Sequence, residues 1–200
     1  MDMEIIKSLE KAVNYDAPQA IENGKKYIED YAKLVTKVLK EIDILDEDGV
    51  KKIYIKDIVQ VLGGNVYFVS PSEIGMTDDG SIHVHAKNEF DIFISSIGSN
   101  VRNRFTLAHE LGHYFLHSKQ GEKQIKVARF GSNPVEWEAN WFAAEFLMPA
   151  DEVKSEWEKR DKNKSFLSNV HEIAYSFKVS MQAILIRLKS IGVVKADEYL

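Results

Sequence analysis

The chain contains no cysteine. Disulfides, thiolate metal sites and cysteine nucleophiles are therefore excluded, and any metal must be held by imidazoles or carboxylates. A surplus of positive charge is also missing: the net charge is −5 and the pI is near 5.7. Non-specific nucleic-acid binding needs clustered Lys and Arg, and this balance offers no such footprint. No stretch approaches the run of about eighteen apolar residues that a membrane span requires. The opening residues Met1-Asp2-Met3-Glu4-Ile5-Ile6-Lys7 are too charged, and their apolar run too short, for a secretory signal. Together these absences make the cytoplasm the expected location. What is present is a hydrophobic fraction of 44% in 200 residues, enough for a real core in one domain or in a domain with a small appendage.

Against this background one pentapeptide stands out. Residues 109–113 read His109-Glu110-Leu111-Gly112-His113, an H-E-x-x-H pattern. On an α-helix, positions four apart lie one above the other, so both imidazoles can face one metal ion. Glu110 sits about 100° round the axis. It is badly placed as a ligand of the same ion but well placed to take a proton from a water beside it. Such a site is a hydrolase site, with zinc as the expected single ion. The helix is signalled by the apolar stripe Phe105, Leu107, Ala108, Leu111, Phe115 and Leu116, with Asn100 or Asn103 as its expected cap. Gly112 costs about 1 kcal/mol inside a helix. Close approach of another backbone or of substrate would justify it.

Two histidines leave catalytic zinc one protein ligand short. His117 lies about 12 Å further along the same helix and cannot close the same tetrahedron while the helix is straight. The longer pattern with a third histidine fails as well, since Leu116 and Lys119 occupy its glycine and histidine positions. The favoured third ligand is Glu136, on a second helix expected between a cap at Asn133, with Pro134 in its first turn, and Pro149. Asn140, one turn beyond Glu136, shares its face and can orient a ligand by hydrogen bonding. Two other readings stand beside this one. Asn133-x-x-Glu136 is also a capping box, and Glu138 is an alternative ligand, although its partner one turn on is Phe142, which suggests a face shared with core.

At this point the sequence resembles a known family. Arg104-Phe105-Thr106-Leu107-Ala108-His109-Glu110-Leu111-Gly112-His113-Tyr114-Phe115-Leu116-His117, followed by Glu136-x-x-Ala139-Asn140-x-Phe142-Ala143-Ala144-x-x-Leu147-Met148-Pro149, resembles the ImmA/IrrE zinc metallopeptidases over both helices and their order. The resemblance implies a zincin-like, gluzincin-type site: His109, His113 and Glu136 on one zinc ion, Glu110 as acid and base, and Asn140 behind a ligand. It also implies an endopeptidase whose partner is a helix-turn-helix transcriptional repressor, cut at a specific bond. Asn140 stands where many relatives carry Asp, which weakens the pull on a ligand histidine but keeps a hydrogen-bond partner. No spacing argument selects a second donor for the oxyanion among Tyr114, His117, Arg102, Arg104, Tyr175, His83 and His85.

The rest of the chain divides into zones. Residues 1–62 read as helical, with Ile21, Ile28, Tyr31, Leu34, Val35, Val38, Leu39 and Ile42 at helical spacing. A turn is expected at 46–49 and a short helix at 53–62, ending at Gly63-Gly64. Residues 65–98 read as three strands, Val66–Val69, Ile82–His85 and Phe90–Ile94, with turns near Gly75, 78–80 and 87–88. His83 and His85 share the polar face of their strand. The last strand is expected to offer an exposed edge to the substrate backbone. Residues 118–132 read as a long polar connection, a lid or a plain mobile loop.

Three helices are expected after Pro149, over 151–159, 166–177 and 180–191, the last capped by Ser180 and ended by Gly192. Residues 173–188 resemble a helix-turn-helix. The second of its helices opens Ser180-Met181-Gln182-Ala183-Ile184, with little positive charge, so packing or partner docking is expected rather than DNA binding. The fold class expected is α+β, mostly helical, with a small antiparallel or mixed three-stranded sheet on the H-E-x-x-H helix. Residues 1–150 would form the zincin-like metallopeptidase domain, its two metal-site helices lying in 100–149, and residues 151–200 a C-terminal helical subdomain. The competing function is a repressor- or DNA-docking regulatory protein whose zinc is mainly structural. Glu110 argues against it, since a structural site has no use for that group.

Overall fold

In the computed structural model the described residues are 24–41, 45, 54–70, 80–128 and 134–195. Chain order is α1 (Gly24–Glu41), α2 (Ile55–Val61), β1 (Gly64–Val69), β2 (Gly80–Ala86), β3 (Glu89–Ser95), α3 (Asn100–Gly112), a π-helical turn (His113–His117) and β4 (Ile125–Ala128). Then come α4 (Pro134–Leu147), α5 (Ala150–Lys159), α6 (Phe166–Phe177) and α7 (Met181–Ser190). The turn expected at 46–49, the turn residues 75, 78 and 79, and the Asn133 cap lie outside the described residues, as do Ile21 and Ile42. Among the described residues, no helix is long and apolar enough to cross a membrane.

The fold is the expected mostly helical α+β arrangement with a small mixed sheet. The sheet has four strands in the order β1-β3-β2-β4. β3 runs parallel to β1 and antiparallel to β2, while β4 is antiparallel to β2. Phe90, Ile92 and Ile94 alternate inward along β3, joined by Ile82 and Val84 of β2, as a period of two dictates for a half-buried strand. Two sequence expectations are corrected here. The strand expected to offer its edge to substrate is β3, and it is paired on both sides; among the described residues the edge strands are β1 and β4. The connection after residue 118 is not all loop, because 125–128 add to β2 as the fourth strand.

α3 packs on β2 and β3 and also against α4, which in turn packs on α1. Its start is capped by Ser99, whose side chain accepts from the backbone N–H of Arg102. The expected caps, Asn100 and Asn103, lie inside the helix, and Asn103 instead donates to the Gly98 carbonyl. Gly112 explains itself by contact. A Cβ there would stand 3.1 Å from Cα and 3.2 Å from the carbonyl oxygen of Ala139. The backbones of α3 and α4 therefore approach as closely as they do because this position has no side chain. Beyond the crossing, α1, α4 and the π-turn share an aromatic seam. Phe142 meets Phe115 and Phe146, each with ring centroids 5.6 Å apart, and Tyr31 at 6.5 Å. Burying side chains of this size contributes about 1.5–3 kcal/mol each.

The C-terminal helices are tied to this body by one buried cation. The Arg187 side chain of α7 is 2% exposed. It donates to the Met148 carbonyl at 2.9 Å, to Glu29 of α1 at 3.0 Å and to the buried carboxylate of Glu145 on α4. Glu145 also accepts from the N–H of Ala150, the first residue of α5, where a carboxylate favours a helix start. Burial pushes Glu145 above the usual carboxylate range, and Arg187 pulls it back. Removing one partner of a buried pair leaves an uncompensated charge and costs about 3–5 kcal/mol. Arg187→Met should therefore lower unfolding free energy in urea by about that amount, and Arg187→Met/Glu145→Met should recover much of it. A single variant as stable as the parent would remove this tie from the account.

Candidate metal centre

The crossing of α3 and α4 brings three side chains to one point. His109 and His113 stand one turn apart on α3, and Glu136 faces them from the first turn of α4. His109, His113 and Glu136 are 0%, 1% and 3% exposed. His109 Nε2 lies 3.1 Å from Glu136 Oε2 and 3.1 Å from His113 Nε2, and His113 Nε2 lies 3.4 Å from Glu136 Oε1. Zinc bonds of 2.0–2.1 Å in a tetrahedron set their donor atoms about 3.3 Å apart. The separations match that edge length closely, and the donors are two imidazoles and one carboxylate, a set that catalytic zinc uses. The residues fit a single zinc ion. Among the described residues this is the one such group of three.

Other contacts hold the donors in place. His109 Nδ1 faces Asn140 Oδ1 at 3.0 Å, so the amide oxygen accepts the proton that an Nε2-ligating imidazole carries on Nδ1. His113 Nδ1 faces His117 Nδ1 at 2.8 Å, and His117 Nε2 faces Glu138 Oε2 at 2.9 Å. The sequence reading separated His117 and Glu138, one as too far along its helix and the other as a rival ligand. The structure joins them to each other. The spacing of four puts His117 beside His113, but its pairing with Glu138 carried no sequence signal, because that depends on how α4 is set against α3. Burial pushes His117 below the usual imidazole range, and Glu138 pulls it up.

Glu110 is 1% exposed and abuts the start of β2, where a Cβ on Gly80 would come within 3.0 Å of its Oε1 and 2.5 Å of the Thr106 methyl. Glycine at position 80 thus leaves the space this carboxylate occupies. The remaining polar candidates scatter. Tyr114 OH bonds the Gln120 carbonyl and Asn88, and burial raises its pKa to about 12. Tyr175 is 81% exposed on α6. His85 pairs with Asp91, and His83 packs on Phe93. Arg104 is buried, which pushes it down to about 10. Arg102 lines a cleft of about 990 Å³ between α3, α4 and α7, with Phe105, Trp137, Trp141 and Ile186. The cleft lies beside the metal donors rather than over them, and Asn140 belongs to both.

If Glu136 is a ligand and not a helix cap, Glu136→Ala should weaken zinc by more than the about 10–100-fold typical of losing an outer hydrogen-bond partner, the loss expected of Asn140→Ala. Chelator competition measures both, and equal small losses would return Glu136 to the capping role.

A family model for peptidases, described as the IrrE N-terminal-like domain, matches residues 70–189, more than half of the chain's 200 residues. No curated protein matches the chain.

Proposed function

We propose that this chain, which belongs to the peptidase family of the IrrE N-terminal-like domain, cuts a helix-turn-helix transcriptional repressor at a specific peptide bond, in the cytoplasm. That it is a zinc-dependent metallopeptidase follows from the family and the donor cluster together. The observation that carries the reading is the convergence of His109, His113 and Glu136, with Glu110 buried on the next position of the same helix. A purely structural zinc site needs no such carboxylate.

Zinc held by these three residues supplies a Lewis acid and lowers the pKa of water toward about 7. The chain's own groups then divide the labour. Glu110 takes the proton from the attacking water and passes it to the departing amine, as a single carboxylate can when it reaches both. Asn140 keeps the His109 ring in the tautomer that offers Nε2. Gly80 keeps the wall beside Glu110 open.

Two features support a protein substrate. Among the described residues β4 is an edge strand, and its Ala128 pairs with Ser81, next to the Gly80 that abuts Glu110. An extended segment can add to such an edge through its backbone. The cleft next to Asn140 is lined by Phe105, Trp137, Trp141 and Ile186, side chains suited to apolar residues of a partner. The repressor itself comes from the resemblance in the α3 and α4 motifs. The helix-turn-helix-like tail spends Arg187 inward, which favours partner docking over reading DNA.

Co-expression with a candidate helix-turn-helix repressor, followed by intact mass, should give one pair of fragments. Glu110→Gln should abolish them, with a rate loss of about 10²–10⁴-fold, while zinc stays bound one to one. Cleavage at the parental rate by that variant would refute the assignment of the base, and an uncut repressor would refute the substrate. Separate Lys126→Pro and Val127→Pro variants test the β4 edge. The one whose N–H faces away from β2 should lower kcat/KM with zinc content unchanged; unaltered kcat/KM in both would reject strand addition there.

A further inference from the structure

We infer that His117 and Glu138 form a positioning relay that fixes the ring of His113 and strengthens its hold on zinc; this rests on the metal-centre reading above. His113 turns Nε2 toward His109 and Glu136, at 3.1 and 3.4 Å. A neutral imidazole that gives Nε2 to a cation carries its proton on Nδ1. That N–H meets His117 Nδ1 at 2.8 Å. Neither two N–H groups nor two lone pairs can face each other so closely, so His117 Nδ1 is the acceptor. The His117 proton therefore sits on Nε2, where it meets Glu138 Oε2 at 2.9 Å. Each proton in the row is set by the one before it, and the row ends on a carboxylate.

The backbone is shaped for this row. Between His113 and His117 the helix is π-helical, closed by the Ser118 N–H on the His113 carbonyl at 3.0 Å. Side chains four apart share one face, and the two rings stand 4.8 Å apart, the same spacing as His109 and His113. α4 then supplies Glu138 two residues beyond Glu136, so one helix delivers a ligand and the far end of the relay. The two histidines are consequently held unequally. His109 is backed by the neutral amide of Asn140, whereas His113 is backed, through a second imidazole, by a carboxylate. An anionic acceptor raises the basicity of the ligand in front of it. The Glu138 side chain is 41% exposed, so water helps to solvate that end.

The test uses the full chain, with zinc affinity from chelator competition, the visible spectrum of the cobalt(II)-loaded protein and the melting temperature of the metal-free protein. His117→Phe should weaken zinc by about 10–100-fold and shift the cobalt band. Glu138→Gln should act in the same direction by less. His117→Gln, whose amide oxygen can accept the His113 proton, should recover part of the loss. All three should melt like the parent without metal. Parental zinc affinity and cobalt spectrum in Glu138→Gln would overturn the relay, even if His117→Phe failed to fold. A fall in metal-free melting that accounts for the lost affinity would also overturn it, in favour of simple packing. If the parent binds no zinc, or His109→Ala binds it equally well, the metal centre itself is at fault.

Discussion

The close crossing of two helices is the constraint on which this molecule turns. Glu136 reaches the imidazoles of His109 and His113 only because α4 can approach α3 to within backbone contact at Gly112 and Ala139. A methyl group at position 112 would sit against backbone atoms, which have no rotamer to yield. The weak helix propensity of glycine, about 1 kcal/mol below alanine, is thus accepted in exchange for ligand geometry. The aromatic seam of Phe115, Phe142, Phe146 and Tyr31 presses the same helices together from the core side. The sheet fixes α3 from its other flank and brings Gly80 up to Glu110. Packing and chemistry are therefore one arrangement: loosening the crossing would open the cluster before it disturbed any single residue in it.

A second theme is how the fold handles buried polar groups. Burial of an unpaired carboxylate or imidazolium is severely unfavourable. The metal donors answer this by facing one another around a point that a divalent cation fits, and each ring nitrogen on the far side has a partner in Asn140 or His117. Glu145 answers it with Arg187 and with the start of α5. Glu136 and Glu145 lie about two and a half turns apart on α4. That helix serves both the centre and the attachment of α7, so the C-terminal helices and the donor cluster share a scaffold.

Much of this was readable in the residues, and the parts that were not share a cause. Helix periodicity placed α3, α4, α6 and α7, because their apolar stripes and flanking Ser, Pro and Gly act locally. The H-E-x-x-H spacing told what the helix presents, since spacing on a helix is geometry. Cap choice was less legible: Ser99, Asn100 and Asn103 are equally good by type, and only the path of the chain into α3 decides for Ser99. Strand order was illegible. A run such as Phe90–Ile94 announces a strand but not its neighbours, and β1 joins it through a connection that sequence cannot route. Ile125-Lys126-Val127-Ala128 alternates at its start, yet four residues are too few to separate a strand from a loop. His117 and Glu138 were each judged against the metal, where neither belongs. Their bond spans 21 residues and depends on how α4 is set beside α3, which spacing along one helix does not encode.

The tail resembles a helix-turn-helix, and where its charge goes bears on what it can bind. A helix-turn-helix that reads DNA directs basic residues outward into the groove and toward phosphates. Here α6 ends at Lys178 in the left-handed conformation and α7 starts under the Ser180 cap, as such a unit requires. Arg187, however, is turned inward and consumed by Glu145 and Glu29. The side of α7 that bears Gln182 and Ile186 lines the cleft with Trp137 and Trp141 of the Glu136 helix. A surface of that composition gains affinity from apolar burial, not from counterion release. The one arginine of α7 is thus turned into the protein, while Lys178 and Lys189 stay exposed. The Gln182 and Ile186 side of α7 shares the cleft with Asn140, the residue that faces His109.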